Sequence, residues 1–425
     1  MPAEPPSFLP TTFPLGAGRA RVARQHRSAE RQQRIGEAAI AVIARHGIAG
    51  LTHRRVASEA GVSLAATTYH YRSRLGIIGD AAARLLGAYT EGFRRAIERH
   101  RDNPGISFRE FVVRVVANAA GRHNEGALAW CEIILDAARN QETRGIATAW
   151  FEELFTIWLE VATVFKMPDA PQAARSALDA VVGLIFTVVP LGLTDEQVVR
   201  GLQGDENFEQ AWAPADADAA PARPSRGGRK ADDTRERILA AAIDLLVEEG
   251  VGAVSYRAIG LRTGLTAPAA IYHFPSIDIL LDAAQTRLFA AAKDRYRIVM
   301  AHADYGAMDV DQLTDLTATI FQREVTEYGP LSLASYPVWL DAARHPRLRP
   351  AIWAEIGDQN RAWRRLLDRI APNPRRLDPL IIQGLFRGKF VRVLATGTRL
   401  PDLADARGNF LRNLTAIHHG RPWFS

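Results

Sequence analysis

The sequence predicts an all-α protein built as two consecutive copies of one unit, and three observations carry that prediction. Apolar residues recur at helical spacing along most of the chain, and no strand alternation of useful length occurs. Two segments, Arg34–Ala81 and Arg237–Ala284, lie 203 positions apart and align over 48 residues without a gap, with 13 identities. The pentapeptide Leu-Asp-Ala-Ala-Arg occurs at Leu135–Arg139 and again at Leu340–Arg344, 205 positions apart, so the duplication runs past the aligned segments. A repeat this long excludes a solenoid.

The first copy reads as three helices in order. Ile35, Ala38, Ala39, Val42 and Ile43 form one buried stripe. Gly47 ends that helix. Thr52 caps a second helix running to Ala60, and small Ala57 (Gly260 in the second copy) allows close approach of the next one. Gly61 makes a tight turn, Val62 points inward, and Ser63 caps a third helix, Leu64–His70. Two short helices joined by a three-residue turn with glycine form a helix-turn-helix, whose second member enters the major groove. Short helix-glycine-helix stretches also occur in ordinary all-α proteins. Here the cap, the turn glycine and the Tyr-His-aromatic ending all occur twice, which favours two DNA readers over coincidence.

The order of helix, Thr/Ser-capped helix, Gly-Val/Leu-Ser/Thr turn and Tyr-His-Tyr/Phe resembles the N-terminal domain of TetR-family bacterial transcription regulators, over roughly 29–81 and 232–284. The resemblance implies an all-helical chain of two TetR-like units. Each would hold a three-helix DNA-binding domain followed by a larger helical ligand-binding domain, and the two would pair within one chain as a pseudo-dimer. It also implies phosphate contacts from Tyr69, His70, Tyr272 and His273, and from Arg74, where relatives commonly carry Lys. The second copy departs there, with Ile277, and has Pro275 opposite Arg72.

The candidate DNA-contacting residues of the first reader are Arg31, Thr52, Arg54, Ser63, Leu64, Ala65, Ala66, Thr67, Thr68, Tyr69, His70 and Arg74. Those of the second are Ser255, Arg257, Thr266, Ala267, Pro268, Ala269, Ala270, Tyr272 and His273. Thr67 and Thr68 can donate, accept and offer a methyl, whereas Ala267, Ala269 and Ala270 offer only apolar contacts, such as with a thymine methyl. Tyr71 and Phe274 read as core.

Length and charge fit this organisation. A chain of 425 residues suits two units of about 200. The formal net charge is only +6, but residues 1–74 hold eleven Arg against four Glu. Arg19, Arg21, Arg24, Arg27, Arg31 and Arg34 lead into the first helix, as basic arms that contact phosphates do; a solvated tail reads equally well. A shorter basic run, Arg223, Arg226, Arg229 and Lys230, precedes the second copy. The single Cys131 excludes a disulfide framework within the chain and suits a reducing cytoplasm. No leader peptide is expected, and the apolar run from Ala180 to Leu193 reads as a buried helix interrupted by Pro190.

The expected domains are a disordered basic arm at 1–28, DNA-binding domain 1 at 29–75 and helical domain 1 at 76–212. An Ala/Pro/Asp-rich linker follows at 213–231, then DNA-binding domain 2 at 232–278 and helical domain 2 at 279–425. Helices are expected near 74–101, 106–122, 126–139, 142–167, 171–189 and 195–211, and near 277–302, 309–327, 331–344, 347–370, 375–395 and 402–417. Aromatics concentrate in the first helical domain. The candidate pocket residues are Phe111, Trp130, Phe151, Phe155, Trp158 and Phe186, with Trp339 and Trp353 in the second domain. Such stripes are often plain core, but a mostly apolar pocket would suit a small hydrophobic effector.

No metal-ligand spacing, phosphate-cradling loop or nucleophile motif occurs, so neither catalysis nor a cofactor is expected. The expected partners are operator DNA and a small effector, with no membrane. The reading is a cytoplasmic, ligand-responsive regulator, a repressor acting as a single-chain pair on a non-palindromic operator. An activator or architectural protein with a filled interior is one rival; an enzyme or carrier with degenerate readers is another, which would need a reactive cluster.

Overall fold

The computed structural model describes residues 15–101, 105–203, 208–214, 228–300, 308–421 and 423–424. The first unit opens with α1 (Leu15–His46), a 3-10 turn (Ile48–Gly50), α2 (His53–Ala60) and α3 (Leu64–His70). It continues through α4 (Arg74–His100), α5 (Phe108–Ala120), α6 (Asn124–Arg139), α7 (Gln141–Val164), α8 (Ala170–Leu191), α9 (Asp195–Gln203) and α10 (Phe208–Trp212). The second unit repeats the order with α11 (Arg229–Glu248), a 3-10 turn (Val251–Ala253), α12 (Tyr256–Thr263), α13 (Ala267–His273) and α14 (Ile277–Met300). There follow α15 (Val310–Thr326), α16 (Gly329–Leu333), α17 (Ser335–Arg344), a 3-10 turn (Pro346–Leu348), α18 (Arg349–Ile370), α19 (Asp378–Thr396) and α20 (Leu400–His418). Among the described residues no strand occurs.

One sequence expectation changes. From Leu15 onward the basic segment expected to be a disordered arm is helical and continuous with α1; residues 1–14 lie outside the described residues, as do residues 215–227 of the expected linker. The physical reason is composition: after Gly18 the segment holds Ala, Arg and Gln without Pro or Gly, all strong helix formers.

Local chemistry sets the helix ends. Gly47 and Gly250 take left-handed φ values of 67° and 87° at the close of α1 and α11. A capping box starts α5 (Ser107 with Glu110) and another starts α15 (Asp309 with Gln312), at corresponding places in the two units.

The two units pack through α8 and α19. A Cβ on Gly183 would collide with the Gly384 carbonyl, and a Cβ on Gly388 would collide with the Asp179 carbonyl. An offset of 205 residues converts one contact into the other, which is the pattern of an isologous interface. Only glycine lets the backbones approach this closely. Buried Asp179 accepts from buried Arg392 at 2.7 and 3.1 Å across the seam, and Asp402 accepts from the same guanidinium at 2.9 Å. Helix α8 has the length and apolarity of a membrane span, yet 94% of its apolar window is buried here. Pro190 sits in its last turn, next to the left-handed cap Gly192.

Packing of the readers is uneven. The first reader's core (Ile35, Val42, Val56, Ile77) is continuous with the main body of both units. The second reader's core (Ile238, Leu245, Ile259, Leu280) forms a separate cluster that borrows Ala334 and Val338 near and on α17.

Candidate nucleic-acid interface and ligand cavities

The readers share their construction. Thr52 Oγ1 accepts the Arg55 amide at 3.2 Å and Ser255 Oγ accepts the Ala258 amide at 3.2 Å, so both second helices start on a hydroxyl cap. Gly61 (φ 61°) and Gly264 (φ 70°) end those helices. Ser63 and Thr266 then cap α3 and α13, receiving the Ala66 and Ala269 amides at 3.2 and 3.4 Å. The Tyr-His pair stands in one geometry in both copies: ring centroids 5.3 Å apart and edge-on at 87° for Tyr69–His70 and for Tyr272–His273. Tyr69 is 81% exposed and Tyr272 80%. Exposed aromatic rings at matched sites, held without burial, are what a surface awaiting a partner presents.

Most of the candidate contact residues are exposed: Arg31, Thr52, Arg54, Ser63, Leu64, Ala65, Thr68 and Arg74 in the first reader, and Ser255, Arg257, Thr266, Ala267 and Pro268 in the second. Ala66, His70, Ala269 and His273 are half-buried. Thr67 and Ala270 are a correction. Both are fully buried, because their positions face the inside of the reader, and Thr67 Oγ1 donates to the Leu64 carbonyl at 2.8 Å. Neither can reach a base edge. Thr68 remains exposed, and its counterpart Ile271 is 43% exposed; Ile271 is absent from the sequence-based set. Arg74 donates to the Ile48 carbonyl, which pins its guanidinium beside the first 3-10 turn. Tyr71 and Phe274 are core, as expected. Tyr71 donates to Asp80 at 2.8 Å, and burial with that neighbour pushes its phenol up to about 12.

The readers meet at their 3-10 turns, where a Cβ on Gly252 would lie 2.7 Å from the Ala49 Cβ. Arginines of the repeated pentapeptide cross between units to reach them. Arg344 donates to the Ala44 carbonyl at 2.7 Å and to Glu132 at 2.7 Å, while Glu132 also accepts the Ile48 amide at 3.2 Å. Arg139 lies beside Gly250 and donates to the Leu333 carbonyl at 3.3 Å.

Behind the first reader is a cavity of about 880 Å3 between α4, α5, α6, α7 and α8. Phe111 and Trp130 line it, as do Tyr89, Phe93, Trp150 and Val182. The Trp130 indole N–H has no acceptor. Four other candidates are not among the residues that line this cavity. Trp158 is fully buried behind the wall, edge-on to Phe93 and Phe111; Phe151 packs 6.4 Å from Trp130; Phe155 lies under the Arg175 guanidinium; Phe186 faces Tyr336 across the seam at 5.8 Å. In the second unit Trp339 lines a smaller cavity of about 150 Å3, whereas Trp353 packs on Phe208 at 6.5 Å instead. Asp278, Asp341 and His345 bring ligand atoms within 4.8 Å of one another. Asp341 already meets Arg344 and His345, and Asp278 meets Arg347.

Known families account for this architecture. The family model described as tetracyclin repressor-like, C-terminal domain, matches residues 106–204 and again 308–416. The model described as bacterial regulatory proteins, tetR family, matches residues 238–284. Together they cover more than half of the chain. The chain belongs to the TetR family. It is a DNA-binding transcriptional regulator of that family, whose members also take small-molecule effectors. Two solved structures of the multidrug binding protein EbrR are similar to it. The imidazole complex is 23% identical, covering 45% of this chain and 96% of the other at a TM-score of 0.36; the ethidium complex is 30% identical, covering 43% and 94% at 0.29. No curated protein matches the chain.

Within this TetR-family frame, the sequence reading misses two sets of cavity residues. The first is the α4 face that carries Tyr89, Phe93 and His100, which lies outside the aromatic-dense helices that drew attention. The second is the polar lining of the smaller cavity, Gln285, Glu355 and Arg387. A signal existed for it: α19 carries Arg387, Lys389 and Arg392 among its apolar residues, and charges on a buried helix mark a special environment.

Proposed function

We propose that this regulator is a repressor that binds one operator as a single-chain pair and is released by a small hydrophobic effector in the first unit's cavity. The observation that carries this is the course of α4. Its N-terminal turns start directly after the first reader, where Ile77, Ile78 and Ala81 enter the reader's core. Its C-terminal half, from Leu85 to His100, lines the cavity. A ligand that favours one setting of α4 therefore favours one setting of the reader. A cavity of about 880 Å3 also speaks against the rival regulator with a filled interior.

In this reading α3 and α13 enter successive major grooves roughly 34–36 Å apart. Tyr69, His70, Tyr272, His273, Arg31, Arg54, Arg74 and Arg257 hold phosphates, and the exposed faces of α3 and α13 choose bases. In this reading the DNA-binding domains span 29–75 and 232–278, with the linker at 213–231. The protein acts in the cytoplasm and is not an enzyme. The operator lacks dyad symmetry, because Thr68 and Ile271 stand at matched exposed positions.

Footprinting on DNA flanking the gene, with light scattering of the complex, tests this. One chain per minimal operator is expected, and two chains on every minimal operator would refute single-chain binding. Quenching of Trp130 by lipophilic compounds that also release DNA is expected. Release that survives Trp130→Phe combined with Gly92→Phe, a blocking change on the α4 wall, would place the effector elsewhere.

A further inference from the structure

The second unit's cavity is chemically unlike the first. Its charges are mostly satisfied within the wall. Arg295 meets Glu324 through two hydrogen bonds of 3.0 and 3.1 Å, and Lys293 meets Asp358. Arg387 differs. It is 5% exposed, and its oxygen partners are neutral: the Thr187 hydroxyl, the Tyr336 hydroxyl, the Gly183 carbonyl at 3.4 Å and the Gln359 side-chain carbonyl at 3.2 Å. Among the described residues no carboxylate stands within ion-pair distance of it. A buried cation with neutral acceptors alone is costly, and an anion beside it removes much of that cost. A guanidinium also matches a carboxylate in two parallel hydrogen bonds.

The surroundings narrow the anion. Arg387 lies 4.8 Å from the Trp339 ring, and Tyr336 stacks on Phe390 at 5.9 Å and 23°. All three rings line the cavity beside the guanidinium. Gln285 is 2% exposed, lines the cavity, and its side-chain carbonyl has no donor. Its amide and the Trp339 indole both donate to one oxygen of Glu355, at 3.1 and 3.2 Å. Burial pushes the Glu355 carboxyl up to about 8, which weakens it as a counter-charge for Arg387 near neutral pH. At about 150 Å3 the space admits a single ring with one small substituent.

We propose that the second unit holds a separate ligand site for a small aromatic carboxylate of benzoate size, with Arg387 pairing its carboxylate and Trp339, Tyr336 and Phe390 flanking its ring. The site goes beyond the effector reading of the first unit and is independent of it. Because Arg387 also bonds to Thr187 and Gly183 on α8, an anion in the second unit sits one residue from the seam between units.

Calorimetric titration of the full chain with benzoate tests the proposal, with benzylamine and toluene as the cationic and neutral probes of the same shape. Saturable benzoate binding is expected, at least tenfold tighter than either control. Arg387→Met should weaken it at least tenfold. That variant also touches the seam, so Ala362→Phe, which fills the cavity from another helix, provides a second measurement and should abolish binding while circular dichroism stays unchanged. Absent benzoate binding, tighter binding of benzylamine, or unchanged benzoate affinity in a folded Ala362→Phe protein would each overturn the proposal. No DNA and no ligand of the first cavity enter the experiment, so its failure leaves the repressor reading untouched.

Discussion

The two readers have the same helices and caps but stand on different foundations. The first reader's core runs without a break into the main body, and Arg344 and Glu132 tie its α1 and 3-10 turn to both units. The second reader has a core of its own that touches the body mainly around α17. Cooperative opening follows contiguous packing. The first reader therefore shares the stability of the body, while the second can loosen alone. Duplication copied the scaffold, and divergence changed how firmly each copy is mounted.

The strongest challenge to this comparison removes what holds the body together. Asp179→Ala leaves the Arg392 guanidinium buried across the seam with only Asp402 as its carboxylate partner. A loss of about 3–5 kcal/mol is expected in urea unfolding of the full chain. A loss under about 1 kcal/mol would mean the units hold together without this pair.

Next in size is a matched pair of core truncations. Ile259→Ala in the second reader should cost about 2–5 kcal/mol, confined to α11–α13 in hydrogen exchange. Val56→Ala, at the equivalent position of the first reader, should lower protection in α4 and α6 as well. Equal spread in both variants would erase the distinction between the readers.

A smaller effect asks whether both readers dock. Arg54 and Arg257 are equivalent and exposed. Each Arg→Ala change should reduce the slope of log affinity against log salt by about 0.9. A change with Arg54→Ala alone would show that the second reader does not touch phosphate in the complex.

The finest test lies within α3. Thr68→Ala should relax base choice in one half-site by about 0.5–1.5 kcal/mol. Thr67→Val should leave operator affinity unchanged, since that side chain is buried. A base-by-base operator scan checks both, and symmetrical losses in the two half-sites would contradict an asymmetric operator.

How much of this was written in the sequence depends on the kind of feature. Helix order and recognition-helix limits were legible, because Thr52, Gly61 and Ser63 are local signals acting within a few residues. Which face of α3 turns inward was not: Thr67 and Thr68 are chemically identical, and only packing against the rest of the reader tells them apart. Cavity walls were partly legible. Phe111, Trp130 and Trp339 line cavities, but Trp158 and Phe155 stand out in the sequence by residue type alone, and the same ring fills a core as readily as it walls a pocket. Pairing of the two units was expected from the repeat, but the residues that touch at the seam were not legible, for a further reason. Gly183 and Gly384 are single residues whose meaning arises only when two distant helices cross.

That crossing changes how the protein behaves in a population of molecules. A regulator assembled from two chains through such a surface must find its partner, so a few copies per cell leave part of it dissociated. It can also trade subunits with relatives. Here the two surfaces come from one polypeptide, so their encounter is governed by the chain's own effective concentration and not by expression level. Each face of the pair can also change by a single substitution that its twin does not share.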